Sequence, residues 1–206
     1  VVDFVESVGV VNSRAEREQL DAFINDLFTD GISGPDFMNW GTGKWVNNDL
    51  TNVYYAEKVL EKFQPELMVL NLQAVDICHT EFTSYCKNLV KADWGVSHLW
   101  NFIQNTPGLA DDTVLIVMPE HGRNLEPNTV LDAYGRPAFD HTNDDTSREI
   151  FTMVVGPSSV VKQDYVVDTL YGESIDIVPT IANLLGFDVD IPAGLLPGQV
   201  LNDVFI

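Results

Sequence analysis

The chain has few cysteines, few positive charges and no long uninterrupted apolar segment. It contains 206 residues but only two cysteines, Cys78 and Cys86, whose spacing matches neither a disulfide framework nor a zinc finger. Its 11 Lys and Arg residues are outnumbered by 31 Asp and Glu residues, which gives a net charge of −20 at pH 7. Such a charge disfavours nucleic acid and anionic membranes as partners. No apolar run is long enough to cross a bilayer.

The N-terminus also lacks two common features, an initiator methionine and a signal peptide. The sequence begins VVDFVESVGVV, an apolar run with no basic flank and no small-residue cleavage site. We therefore expect the chain to be a trimmed or mature segment of a larger protein. Most of the acidic residues are expected to form a solvated surface, and the alternative is that some of them collect cations.

The apolar residues that are present recur in patterns that alternate between helix and strand. Nearly continuous apolar runs, typical of strands covered on both faces, lie at 67–75, 113–118 and 150–155. Apolar stripes predict amphipathic helices that follow Ser13 and that span 52–63, 81–105 and 175–185. The alternation predicts one α/β domain over residues 1–206, with a mostly parallel sheet sandwiched by helices. Long loops are predicted at 31–49 and 122–147.

Carboxylate and histidine pairs occur where the predicted strands end or begin. Asp76–His79 follows the first strand, Glu120–His121 follows the second, and Asp140–His141 lies in the loop before the third. Open α/β sheets bind ligands beyond the C-terminal ends of their strands, so these pairs are expected to converge. Imidazole and carboxylate are ligands that zinc and manganese prefer. The sequence therefore predicts one or two divalent cation sites.

Each pair also has an ordinary structural explanation. Asp76 could cap a helix that has His79 in its first turn, and Glu120–His121 could be a solvated loop pair. His141 considered alone is more often structural, and His98 is expected to flank the buried face of its helix. The joint arrangement at successive strand ends is what favours a site.

In these segments the sequence resembles the alkaline phosphatase superfamily, including its phosphodiesterase and sulfatase branches. The strand leading to Asp76–His79 resembles the first metal motif of the family, and residues 112–122 resemble its strand ending in Asp-His-Gly. His141 and the segment 148–157 resemble its last histidine and its strand ending in Gly-Pro, while 174–186 resembles its Asp-x-x-Pro-Thr helix. The resemblance covers about residues 55–200, with four motifs in the family order.

The resemblance implies a metal-dependent hydrolase of phosphate or sulfate esters, of which this chain is the C-terminal part of an alkaline-phosphatase-like catalytic domain. Asp76, His79 and His141 would hold one divalent ion, and Glu120 and His121 would help to hold a second. The resemblance implies zinc, with manganese or a single calcium as alternatives. A two-metal site would clamp the attacking and leaving oxygens of the ester. A periplasmic or extracellular location is implied as well.

The sequence departs from the family pattern in three respects. The family usually spaces its first pair as Asp-x-x-x-His, one residue longer than here, and has Asp where Glu120 stands. Its Ser, Thr or modified-Cys nucleophile comes from an earlier segment, with no convincing match in this chain. Thr42 is the one loop hydroxyl that could take this role, and a turn residue is its better explanation. Arg123 or Lys44 could contact a substrate anion, with a surface role as the alternative.

Three hypotheses of function remain open at this point. In the first, the intact protein is a hydrolase of phosphate or sulfate esters, and this chain supplies metal ligands without the nucleophile. In the second, the chain is a catalytically silent metal-binding or protein-interaction module. In the third, it is an α/β binding module without metal. Separations above about 10 Å among His79, His121 and His141 would favour the third hypothesis, since ligand bonds to zinc are only about 2 Å long.

Overall fold

The computed structural model describes residues 6–7, 14–30, 48–142, 144–169 and 171–206. Within these ranges the elements are, in chain order, β1 (Glu6–Ser7), α1 (Arg14–Asp30), α2 (Asn48–Phe63), β2 (Met68–Val69), α3 (Phe82–Asn105), β3 (Leu115–Val117), β4 (Met153–Val155) and α4 (Ile177–Leu184). Short 3-10 helices include Asp76–Cys78 and Asp145–Arg148. None of the helices in the described ranges combines the length and the apolar character needed to cross a membrane.

The hydrophobic core is formed mainly by α2 and α3. Apolar side chains spaced three or four residues apart line the facing sides of both helices, so each helix buries one stripe against the other. Gly95 lets the helices approach closely, because a Cβ there would lie 3.2 Å from Cγ2 of Val53. Partly buried side chains around β2 cover one side of this core. Its buried members are Val53, Ala56, Leu60, Leu99, Ile103 and Leu109.

The strands form two antiparallel pairs, β1 with β2 and β3 with β4. In the second pair Leu115 lies opposite Val155, and Val117 lies opposite Met153. The chain therefore leaves β3 and enters β4 at the same end of the pair. A parallel pair would instead need a crossover that returned the chain to the opposite end.

The predicted mixture of helices and strands is confirmed, and the finer arrangement is not seen. Both described strand pairs are antiparallel, so the mostly parallel sheet sandwiched by helices stays a prediction. The strand predicted at 67–75 is reduced to β2, because the backbone N–H groups of Gln73 and Ala74 donate to the Asp49 carboxylate instead of to a neighbouring strand. That aspartate belongs to α2, which begins four residues before its predicted start.

Of the two predicted loops, the structure describes the second one but only the last residues of the first. Residues 31–47 lie outside the described residues, together with Thr42 and Lys44, while 48 and 49 belong to α2. The loop predicted at 122–147 is mostly irregular, although Leu131 and Pro137 form an isolated bridge and a 3-10 helix begins at Asp145. This loop is tied to the edge of the β3–β4 pair, where its carboxylate and histidine side chains are presented.

Candidate metal centre

The segment that carries Asp76 and His79 is held by the two core helices. The carboxylate of Asp49 on α2 is buried and accepts hydrogen bonds from the backbone just before the segment. Asn88 on α3 donates from its side-chain amide to the carbonyl of Ala74 at 2.8 Å. The chain then forms the 3-10 helix Asp76–Cys78, which brings Asp76 Oδ1 within 3.1 Å of His79 Nε2. The predicted proximity of this first pair is thus observed.

His121 is placed by the glycine that follows it. The N–H of Gly122 donates to the carbonyl of Ser147 at 2.8 Å, so the segment that follows β3 is tied to the 3-10 helix that precedes β4. A Cβ at position 122 would lie 2.5 Å from the carbonyl oxygens of both Thr146 and Glu149. Only glycine permits this approach of the two backbones.

The ring of His121 is oriented by the backbone of the residue that follows it. Its Nδ1 lies 2.8 Å from the carbonyl oxygen of Gly122, an arrangement in which the protonated Nδ1 donates and Nε2 is left with its lone pair. That second nitrogen lies 3.6 Å from Oδ1 of Asp76. The tautomer set by the backbone is the one in which Nε2 can bind a cation.

The pair Asp140–His141 is fixed by a network of asparagine side chains. The N–H of Asn124 and the side-chain amide of Asn128 both donate to the carbonyl of Asp140, each at 3.2 Å. The side chain of Asn124 also donates to the hydroxyl of Thr142 at 3.0 Å. The Asp140 carboxylate turns back and accepts the N–H of His141 at 2.7 Å. Both side chains are thereby directed toward His79.

These segments bring their side chains together into two overlapping groups. His79, Asp140 and His141 form what we call the inner triad, and Asp76, His121 and His141 form the outer triad. In each triad the three potential ligand atoms lie within 4.8 Å of one another. The ring centroids of His79 and His121 lie 4.7 Å and 3.9 Å from that of His141. The histidines therefore lack the wide separation that would have favoured a module without metal.

The ionisation of Asp140 suits the binding of a cation. Burial by itself raises the pKa of this carboxyl, but the hydrogen bonds from the His141 backbone and from His79 outweigh it, and the neighbouring imidazoles act in the same direction. The net effect is a pKa below the ordinary value for aspartate. The group is therefore a carboxylate at neutral pH, which is the form that binds metals.

Arg123 links the segments that carry the inner triad. Its Nε donates to the carbonyl of Phe139 at 2.7 Å, and its Nη2 donates to the carbonyl of His79. The guanidinium carbon lies 4.4 Å from the ring centroid of Tyr85 on α3, close enough for a cation–π interaction. The Nε and Nη2 groups of Arg123 thus already donate to backbone carbonyls of the protein. Contact between Arg123 and a substrate anion stays a prediction.

The structure and the sequence prediction differ in one carboxylate. Glu120 lies in a bend beyond the end of β3, is exposed and belongs to neither triad, so its role as a metal ligand stays a prediction. Asp140 belongs to the inner triad, as its pairing with His141 in the sequence predicted, although the ligand set implied by the resemblance does not include it. The signal in the sequence is the position of Asp140 directly before His141.

The cluster can therefore be described from its own geometry as a set of three imidazoles and two carboxylates at one edge of the β3–β4 pair. This is a donor set suited to zinc or a similar divalent ion. Comparisons of the chain with protein-family models, with curated proteins and with solved structures found no match.

Proposed function

We propose that the protein is a metal-dependent hydrolase of phosphate or sulfate esters, in which this chain supplies the cation ligands and another segment supplies the nucleophile. The supporting observation is the convergence of the inner and outer triads from three separate segments of the chain. We also propose that the chain belongs to the alkaline phosphatase superfamily and that strands from other segments complete a mostly parallel sheet. A periplasmic or extracellular location is part of the same proposal.

The exposure of the cluster is compatible with access by a substrate. The Asp76 side chain is 45% exposed and that of His79 is 42% exposed, while that of Asp140 is only 12% exposed. One side of the cluster is therefore anchored in the protein and the other faces solvent. A divalent ion held there would polarise an ester oxygen and lower the pKa of a bound water or hydroxyl.

Turnover by the metal-reconstituted protein tests this proposal. The full-length protein would be stripped with a chelator, reloaded with Zn²⁺, Mn²⁺ or Ca²⁺, and assayed on an aryl phosphate, an aryl phosphodiester and an aryl sulfate. We expect metal-dependent turnover of at least one ester. His141→Asn should lower kcat/KM by about 100-fold or more, because His141 belongs to both triads.

His98→Asn is the matched control for that substitution. His98 lies on α3, where it stacks on Trp94 and belongs to neither triad, so its replacement should change kcat/KM by less than about threefold. A full-length protein that retains no metal and turns over none of the three esters would contradict the proposal.

A catalytically silent metal-binding module is the second candidate. It is favoured by the shortened Asp-x-x-His spacing at Asp76 and by the outward position of Glu120. This alternative predicts stoichiometric metal and no turnover in the full-length protein. The assay described above separates the two candidates, because only the hydrolase acts on an ester after reloading.

A further inference from the structure

The two triads share one histidine, so they are not equivalent as cation sites. His141 is a member of both, and a neutral imidazole has only one unprotonated nitrogen that can bind an ion. If one ion takes His141, the other keeps only two ligands from this cluster. The relative affinity of the two sites therefore depends on the other two members of each triad. The triad whose other two side chains are better placed to bind an ion together with His141 forms the tighter site.

The separations within the inner triad match those of ligands around a single ion. His79 Nδ1 lies 3.1 Å from Asp140 Oδ1 and 3.1 Å from His141 Nε2, and the remaining pair of atoms is 3.6 Å apart. Ligands at about 2.1 Å from a tetrahedral ion are roughly 3.4 Å from each other. The inner triad thus needs only small adjustments to bind an ion.

The inner triad is also better fixed than the outer one. The carboxylate of Asp140 is largely shielded from solvent and accepts the N–H of His141, while Arg123 donates to the backbone on both sides of the triad. The carboxylate of Asp76 is far more exposed. A ligand that is already held in its bound position loses less entropy when it binds, so the inner triad should bind more tightly.

We propose that His79, Asp140 and His141 form the high-affinity cation site, and that Asp76 and His121 hold a second, weaker ion on the solvent side. This assignment rests on the proposed metal-dependent function. It differs from the assignment implied by the family resemblance, in which Asp76 and not Asp140 accompanies His79 and His141. The chemical class of the ligand is a divalent cation that accepts imidazole and carboxylate, such as zinc.

A pair of matched substitutions tests the assignment. Asp76 and Asp140 each place Oδ1 3.1 Å from one nitrogen of His79, so Asp76→Asn and Asp140→Asn remove equivalent charges on its two sides. Zn²⁺ titration against a chromophoric chelator would measure both binding steps. Asp140→Asn removes a direct ligand and should weaken the tighter step by about 100-fold or more. Asp76→Asn removes only the carboxylate beside Nε2 of His79, so it should weaken the tighter step by no more than about tenfold while it removes the weaker step.

A second matched pair gives the same test through the imidazoles. His79→Asn should abolish the tighter step, and His121→Asn should preserve it. Apo-state circular dichroism and thermal melts of all four variants identify any variant that fails to fold, and the assignment is then decided on the remaining pair. Loss of the tighter step in Asp76→Asn but not in Asp140→Asn would overturn the assignment.

The outcomes also separate this inference from the proposed function. Ordered binding as predicted, without turnover of any ester, would overturn the hydrolase and leave the site assignment standing. Turnover that requires Asp76 for the tighter ion would support the hydrolase and overturn the assignment. A wild-type protein that binds no divalent cation would contradict both.

Discussion

Glu57 is a buried carboxyl group at the interface of α2 and α3, remote in sequence from the metal cluster. Its side chain faces His98, with Oε1 2.9 Å from Nε2. Burial raises the pKa of Glu57 to about 7, with Lys58 acting in the opposite direction and Glu61 adding to the rise. Burial likewise lowers the pKa of His98. The folded state therefore favours the neutral forms of both groups.

The raised pKa of Glu57 predicts a loss of stability as the pH rises. Below the ordinary pKa of 4.5 the group is protonated in both the folded and the unfolded state, so burial has no electrostatic effect. Between 4.5 and about 7 the unfolded state ionises first, and the folded state becomes progressively less favoured. Glu57→Gln should therefore raise the free energy of unfolding by about 1–3 kcal/mol at pH 8 and leave it unchanged at pH 4.

Urea unfolding at both pH values measures this difference. Glu61→Gln is the control for loss of an exposed carboxylate on the same helix. Its side chain is 57% exposed and pairs with Lys58 at 2.7 Å, so the substitution should shift the free energy by less than about 1 kcal/mol. If Glu57→Gln is instead destabilising at pH 8, attraction to His98 outweighs the burial of the charge.

At the scale of elements, the contact of Gly122, in the segment that follows β3, with the backbone around the 3-10 helix at 145–148 determines where His121 lies. A Cβ at Gly122 would meet two backbone carbonyl oxygens at 2.5 Å, so Gly122→Ala must push these segments apart. We expect a loss of about 1–3 kcal/mol in unfolding free energy. The Zn²⁺ affinity of the weaker binding step should fall by at least about tenfold, because His121 moves with Gly122.

Gly135→Ala provides the comparison within the same loop. Gly135 has a φ of +75°, and a Cβ there would meet nothing within 4 Å, so only the backbone conformation opposes the substitution. The expected loss is about 1–2 kcal/mol without a change in Zn²⁺ affinity. Equal Zn²⁺ affinities in the two alanine variants would show that the contact at Gly122 does not position His121.

The helices were more predictable from the sequence than the strands, because helical periodicity is a local property. The stripes at 52–63 and 81–105 correspond to α2 and α3, with ends within a few residues of the prediction for α3. Strand pairing depends on distant residues. Buried Asp49 takes the backbone donors of Gln73 and Ala74, and no pattern in the apolar run 67–75 signals that a carboxylate from α2 will end the strand there.

At the scale of the whole molecule, the sequence predicted that the histidine-bearing segments converge. It did not predict which carboxylate lies beside which histidine. The pattern predicted that the histidines following β2 and β3 would meet His141, and their ring separations agree. The inward turn of Asp140 depends on hydrogen bonds to a loop conformation that the sequence does not display. The exposure of Glu120 depends on the bend that follows β3, which the apolar pattern of the strand does not define.

The net charge of −20 also makes the whole molecule attractive to cations, so a bound metal must be distinguished from ions held at the acidic surface. X-ray absorption spectroscopy of the protein loaded with one equivalent of Zn²⁺ makes that distinction. We predict a low-coordinate ion with two imidazoles and a carboxylate oxygen at about 2.0–2.2 Å. A spectrum with oxygen ligands alone and no imidazole scattering would contradict the metal centre.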